Sequence, residues 1–170
     1  MIRRPPRSTL DRSSAASDVY KRQTKAYTTR VGSGPFPTEL TDEVGNWLQE
    51  RGKEFGATTG RARRCGWFDS VVVRHATRVN GLSSLAVTKL DVLDGCKELK
   101  VCTGYRVNAK IHREMPSDLL ALTNCEPVYE RVRGWSAPTT GVTTYKSLRP
   151  EATGSLTRIK KTLRCRTGQA

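Results

Sequence analysis

Residues 56–69 read GATTGRARRCGWFD. Gly56 and Gly60 let a backbone approach a ligand closely, Thr58 and Thr59 offer hydroxyls and amides, and Arg61, Arg63 and Arg64 offer planar forks of N–H donors. Such a set suits carboxylate or phosphate oxygens. Arg61 and Arg63 should point differently from Arg64, so the three could serve different anions. A solvated basic turn or a nucleic-acid patch explains RARR taken alone, and a second site is needed to choose. Residues 88–95, TKLDVLDG, offer one. Lys89 and Asp91 are two apart, and on an extended backbone they fall on the same side. A carboxylate there can accept two hydrogens from the N1 and N2 edge of guanine, while a lysine stem lies along the ring. Taken alone, a Lys-x-Asp string is usually a surface charge pair.

The elements that must carry these residues are legible in outline. TELTDEVGNWLQERG (38–52) puts Leu40, Val44, Trp47 and Leu48 at helical spacing, with Gly52 as a stop. Before it, residues 29–38 hold two glycines and two prolines and must form a shaped loop. Asp69 can cap a helix through SVVVRHATRVN, with Val72, Ala76 and Val79 on one face and Asn80-Gly81 at its end. SLAVTKL (84–90) reads as a short buried strand, KELKVCTGYRV (97–107) as a second, and EPVYERVRGW (126–135) as another. SLTRIKKTLRCRTGQA begins as a helix with Leu156, Ile159 and Leu163 near one face. His75 falls in the second helix and His112 in a loop. Helices alternating with buried strands predict an α/β fold, and TKLDVLDG then lies at the carboxyl end of a strand, where open α/β sheets bind ligands.

The chain has 170 residues and a formal charge of +14. Residues 1–23 carry +4 and residues 149–170 carry +5, which leaves +5 over residues 24–148 and weakens the case for a nucleic-acid surface. Five cysteines without a CxxC pair suggest neither a disulfide framework nor a zinc ribbon, and a reducing compartment is expected. No apolar run is long enough to span a bilayer. MIRRPPRSTLDRSSAASDVYKRQ (1–23) has no apolar period and is expected to be disordered. It resembles translated sequencing-adapter read-through, with a targeting leader as the fallback, and is set aside from fold and function.

TKAYTTRVGSGPFPTEL, EFGATTGRARRCGWFDSVVVRHA and NGLSSLAVTKLDVLDGCKELKVCTGYRV, in this order and spacing, closely resemble the C-terminal third of adenylosuccinate synthetases, from about Thr24 to about Leu148. The resemblance implies the C-terminal part of a P-loop-like, mixed-sheet nucleotide-binding α/β fold, incomplete in this chain. It also implies a ligase of AMP biosynthesis that joins IMP and L-aspartate at the expense of GTP with Mg2+, working as a cytoplasmic homodimer. By matching motif, Ala57, Thr58, Thr59, Gly60, Arg61, Ala62 and Arg63 would form a loop closing on aspartate. Arg61 would also reach IMP, Val31 would lie near the IMP ribose, and Arg63 would bridge towards GTP. Lys89, Leu90 and Asp91 would read guanine.

The match also breaks. No GxxxxGK or comparable lysine loop occurs, His75 and His112 stand in the wrong contexts for the family's catalytic histidine, and the Mg2+ ligands are expected in a part not present. No catalytic or metal-binding residue is therefore assigned, and residues 24–170 are expected to be an inactive fragment. Arg133-Gly134-Trp135 replaces Pro-Gly-Trp, Arg149 interrupts a Leu-Pro pair, and residues 149–170 diverge, as a truncated transcript with a shifted end would. The alternative is a small basic nucleic-acid-binding domain using Arg61, Arg63, Arg64 and the basic tail.

Overall fold

The computed structural model describes residues 23–82 and 84–163, with the backbone alone at 166–169. The expectations for the leader up to Arg22, and for the side chains after Leu163 with Cys165 among them, lie outside the described residues. Two short strands come first, β1 (Gln23–Lys25) and β2 (Thr28–Arg30). Gln23, grouped with the leader by sequence, pairs with Ala86 as the first residue of β1.

The shaped loop follows, and then α1 (Glu43–Arg51), capped by Asp42, whose side chain accepts the Gly45 N–H at 3.0 Å. Helical spacing reaches back to Leu40, but Leu40 stays outside α1 because its N–H donates to Cys65 O at 2.9 Å. That bond, to a residue 25 positions further on, holds Leu40 ahead of the Asp42 cap. Gly52 ends the helix as expected, its N–H bonded to Leu48 O.

Next come β3 (Arg64–Gly66), β4 (Phe68–Asp69) and α2 (Ser70–Val79). Asp69 caps α2 through the N–H groups of Val71 and Val72. Its buried face is not the one expected: Ser70, Val71 and Thr77 turn inward, while Ala76 is exposed and Val79 is 72% exposed. The reason lies at the cap. Tyr105 donates to Asp69 at 2.6 Å and Ser70 donates to Cys102 O at 2.5 Å, which fixes the rotation of the helix before its apolar residues are reached.

The remaining elements are β5 (Ser84–Thr88), a 3-10 turn (Asp91–Leu93), β6 (Glu98–Val107), β7 (Lys110–His112), α3 (Leu119–Thr123), β8 (Glu126–Arg133), a 3-10 turn (Tyr145–Ser147), α4 (Pro150–Leu163) and β9 (Arg166–Gln169). His112, expected in a loop, ends the exposed strand β7. β6 alternates only in part because its pairing with β8 shifts between Cys102 and Gly104.

The architecture is mixed α/β. β1, β5 and β9 form a parallel sheet, and β4 runs parallel to β6, which pairs antiparallel with β7 and β8. β2 and β3 form a separate antiparallel ribbon. One core joins Tyr27, Leu48, Phe68, Val87 and Trp135 to the inward face of α4, where Ala152, Leu156, Ile159 and Leu163 are all buried. A smaller cluster of Val71, Cys102 and Tyr105 packs with Leu122 and Cys125. Gly134 is fixed by space, since a Cβ there would collide with the Cys96 carbonyl. The string therefore keeps Gly134, for which the packing leaves no alternative, and Trp135, which lies in the core, and departs from Pro-Gly-Trp only at Arg133.

Candidate functional site

Parallel pairing sets the carboxyl ends of β1 and β5 side by side, with Lys25 opposite Thr88. Lys25 ends one strand and Lys89 follows the other, so two cations arrive at one sheet end, the edge at which open α/β sheets take ligands. Both reach Glu54, which sequence reasoning overlooked. Glu54 Oε2 accepts from Lys25 Nζ at 2.8 Å and from Arg63 Nη1 at 3.1 Å, while Oε1 accepts from Lys89 Nζ at 2.6 Å and from Tyr27 Oη at 2.5 Å. The Glu54 side chain has no solvent exposure. Burial pushes its carboxyl pKa up, but the bonds from Lys25, Lys89 and Tyr27 more than offset this and hold it at about 2. Burial and the adjoining Glu54 raise the Tyr27 phenol well above its ordinary value. Three cations around one carboxylate leave two positive charges in surplus.

Residues 54–63 form a closed hairpin, with Arg63 N bonded to Glu54 O at 2.9 Å and Gly56 N to Arg61 O at 2.8 Å. Gly60 adopts a φ of +63° at the turn. Ala57, Thr58, Thr59, Gly60, Arg61 and Ala62 are exposed on this tip. Thr59 Oγ1 accepts the Arg61 N–H at 3.3 Å, and the Arg61 guanidinium has no partner among the described residues. Arg63 differs. It lies partly buried at the base with its carbonyl held by Gln49 Nε2 at 2.8 Å, and its Nε is buried without a partner among the described residues.

The expectation of an extended Lys89–Asp91 backbone is corrected. Lys89 takes a left-handed φ of +58°, Leu90 is helical, and Asp91 opens the 3-10 turn. The left-handed conformation costs a non-glycine residue about 1–2 kcal/mol. It is offset by the bonds of Nζ to Glu54 and to Gly52 O at 2.7 Å. Asp91 is exposed and Leu90 is buried, and with Lys89, Thr88 and Val87 they line one side of a cavity of about 180 Å3. Thr139, Thr140, Gly141 and Val142 line the other side. Buried Asp94 fixes that second wall, accepting from Trp135 Nε1 at 2.5 Å and from Thr139 N and Oγ1 at 2.8 and 2.9 Å.

Arg64 is set apart from Arg61 and Arg63, as expected, but it serves the fold. Its Nε donates to Glu39 at 2.6 Å, its Nη1 donates to Gly34 O at 2.9 Å and Gly32 O at 3.2 Å, and the guanidinium lies over the Phe36 ring. It thereby pins the loop that carries Val31, which is 73% exposed. With Arg64 held by Glu39 and the loop carbonyls, one of the three arginines named for a nucleic-acid patch is spent on the fold, and that alternative is not supported.

Among the described residues, no group of three or more His, Cys, Asp and Glu side chains is placed to hold a metal ion. Cys65 lies beside the charged cluster, but burial pushes its thiol up to about 11, which disfavours thiolate chemistry there. No described helix is long and apolar enough to cross a membrane.

Glu54, Lys25, Tyr27, Asp94 and the 139–142 wall carry no local signature. The one available signal was an acid, Glu54, directly before a loop with three arginines and no acid of its own.

Similarity to known proteins agrees with this geometry. A family model described as adenylosuccinate synthetase matches residues 14–168. The adenylosuccinate synthetase of Carboxydothermus hydrogenoformans is 58% identical over 137 residues, covering 81% of this chain and 32% of the relative. That of Acidithiobacillus ferrooxidans is 61% identical over 129 residues, covering 76% and 30%. The chain thus spans about a third of the length of the curated relatives it matches. A solved structure of fully ligated adenylosuccinate synthetase from Plasmodium falciparum superposes with a TM-score of 0.81 at 34% identity, covering 86% of this chain and 36% of that one. A match across most of the chain in sequence and in fold leads to one conclusion: the chain belongs to the adenylosuccinate synthetase family.

Proposed function

We propose that residues 24–148 supply the aspartate-holding and guanine-selecting part of a ligase that joins IMP to L-aspartate at the expense of GTP. In that reaction the γ-phosphoryl group of GTP passes to O6 of IMP, and the aspartate amine then displaces phosphate to give adenylosuccinate. The exposed Arg61, with Thr58 and Thr59 beside it, grips the aspartate carboxylates and faces the IMP side. Arg63 lies between aspartate and the GTP phosphates. Lys89, Leu90 and Asp91 hold guanine, the Asp91 carboxylate accepting the N1 and N2 hydrogens, and Val31 lies by the IMP ribose. The parent enzyme works with Mg2+, as a homodimer in the cytoplasm. No step assigned to these residues runs through the metal.

The observation that supports this reading is the cation cluster at the sheet end, where Arg63 from the hairpin and Lys89 from the strand end share Glu54. A surplus of positive charge beside a cavity with an acid on its wall suits an anionic nucleotide with a hydrogen-donating base edge. The test is a full-length Carboxydothermus hydrogenoformans synthetase carrying residues 24–148 in place of its matching segment. It should form adenylosuccinate within about tenfold of the parent rate, and Arg61→Leu should raise the aspartate KM about tenfold or more and lower turnover. A folded chimera without aspartate-dependent product would contradict the reading.

A further inference from the structure

We infer that Glu54 is a positioning residue that couples the aspartate subsite to the guanine subsite by sharing one carboxylate between Arg63 and Lys89. The inference rests on the reading above, in which Arg63 lies between aspartate and the GTP phosphates and Lys89 serves guanine.

The geometry carries it in three steps. An ionised carboxylate has about four acceptor positions, and Glu54 fills them with Lys25, Arg63, Lys89 and Tyr27. A bond given up by one donor leaves an acceptor position of a buried carboxylate open, which favours closer contact from the remaining donors. Second, Glu54 itself cannot touch substrate. Its cations can, because the Arg63, Lys89 and Lys25 side chains are 33%, 36% and 25% exposed. Third, Arg63 is incompletely satisfied in this arrangement. Only Nη1 reaches Glu54, and the buried Nε has no partner among the described residues. An incoming carboxylate or phosphate can offer Arg63 a second, bidentate partner in exchange for its single bond to Glu54, and Glu54 then tightens on Lys25 and Lys89. Lys89 has little freedom to compensate otherwise, with its backbone in the left-handed region and its second bond on Gly52 O. Filling one subsite thus stiffens the other.

The chimeric full-length enzyme tests this with Glu54→Gln, Glu54→Asp, Lys89→Met and Arg63→Leu. Glu54→Gln removes the charge that gathers Arg63 and Lys89, so both side chains lose their placement; the KM values for GTP and aspartate should both rise about tenfold while kcat changes only a few-fold, and Glu54→Asp should recover part of both. Lys89→Met frees Glu54 to hold Arg63 more tightly. The aspartate KM should therefore rise several-fold at saturating GTP, although the substitution lies on the guanine side. A Glu54→Gln enzyme with a lowered thermal midpoint and unchanged KM values would overturn the coupling. Should Glu54→Gln fail to fold, Lys89→Met decides alone, and an unchanged aspartate KM at saturating GTP overturns the inference. Arg63→Leu separates the two levels of argument. If it leaves the aspartate KM unmoved, the functional reading falls; if it raises that KM while Lys89→Met does not, only the coupling falls.

Discussion

Lys89 Nζ lies 2.6 Å from Glu54 Oε1, a contact that spans 35 positions of sequence and joins the end of a parallel strand to the base of an arginine-rich hairpin. Neither residue is where its local sequence would put it. The lysine is turned by a left-handed backbone and the acid is buried beneath its own loop. Their meeting makes one charged floor out of two motifs that look separate in the sequence.

That floor sets a pH dependence. The Glu54 carboxyl is held at about 2 against an ordinary value of 4.5, so the folded state favours the ionised form. A depressed folded pKa gives stability that is present above the unfolded value and lost as pH falls through the folded one. The stability advantage of the chimera over its Glu54→Gln variant should therefore be full at neutral pH and shrink from about pH 4.5 towards pH 2. Urea midpoints of the two proteins across that window check it, and a constant difference would count against the ionised assignment.

Asp94 should act on GTP alone. Asp94→Ala leaves Trp135 Nε1, Thr139 N and Thr139 Oγ1 without their acceptor, at about 1–3 kcal/mol for each buried group left unsatisfied. The 139–142 wall then loosens. The GTP KM should rise several-fold with the aspartate KM unchanged, read from initial rates of the full-length enzyme. Equal effects on both substrates would point to general unfolding.

Arg64 should act on IMP. It holds the carbonyls of Gly32 and Gly34, so Arg64→Met releases the Val31 loop while leaving Arg63 on Glu54. The expected result is a several-fold higher KM for IMP and little change for GTP, measured in the same assay. An unchanged IMP KM would remove Val31 from the ribose side.

Much of the frame was legible because it is local. The cap at Asp69, the stop at Gly52, the strand Ser84–Thr88 and the apolar face of α4 follow from neighbouring residues. What the sequence hid depends on contacts far along the chain. Leu40 gave up helix for a bond to Cys65, α2 took its rotation from Tyr105 and Cys102, and Lys89 left the extended form for Glu54. The spacing in RARR marks hydrogen-bond donors suited to anions. That Arg64 is spent on holding a loop could not be read from RARR, since its partners Gly32, Gly34 and Glu39 lie 25 or more positions away.

Nucleotide choice by the full-length chimera probes the central claim most directly. A carboxylate at position 91 can accept from the N1 and N2 hydrogens of guanine, whereas an amide there can donate to a C2 carbonyl. Steady-state rates with GTP and with xanthosine triphosphate should show GTP preferred by the parent. Asp91→Asn should lose about tenfold or more in kcat/KM for GTP and gain with xanthosine triphosphate. An Asp91→Asn enzyme that uses GTP as well as its parent does, and gains nothing with xanthosine triphosphate, would mean that guanine is read elsewhere.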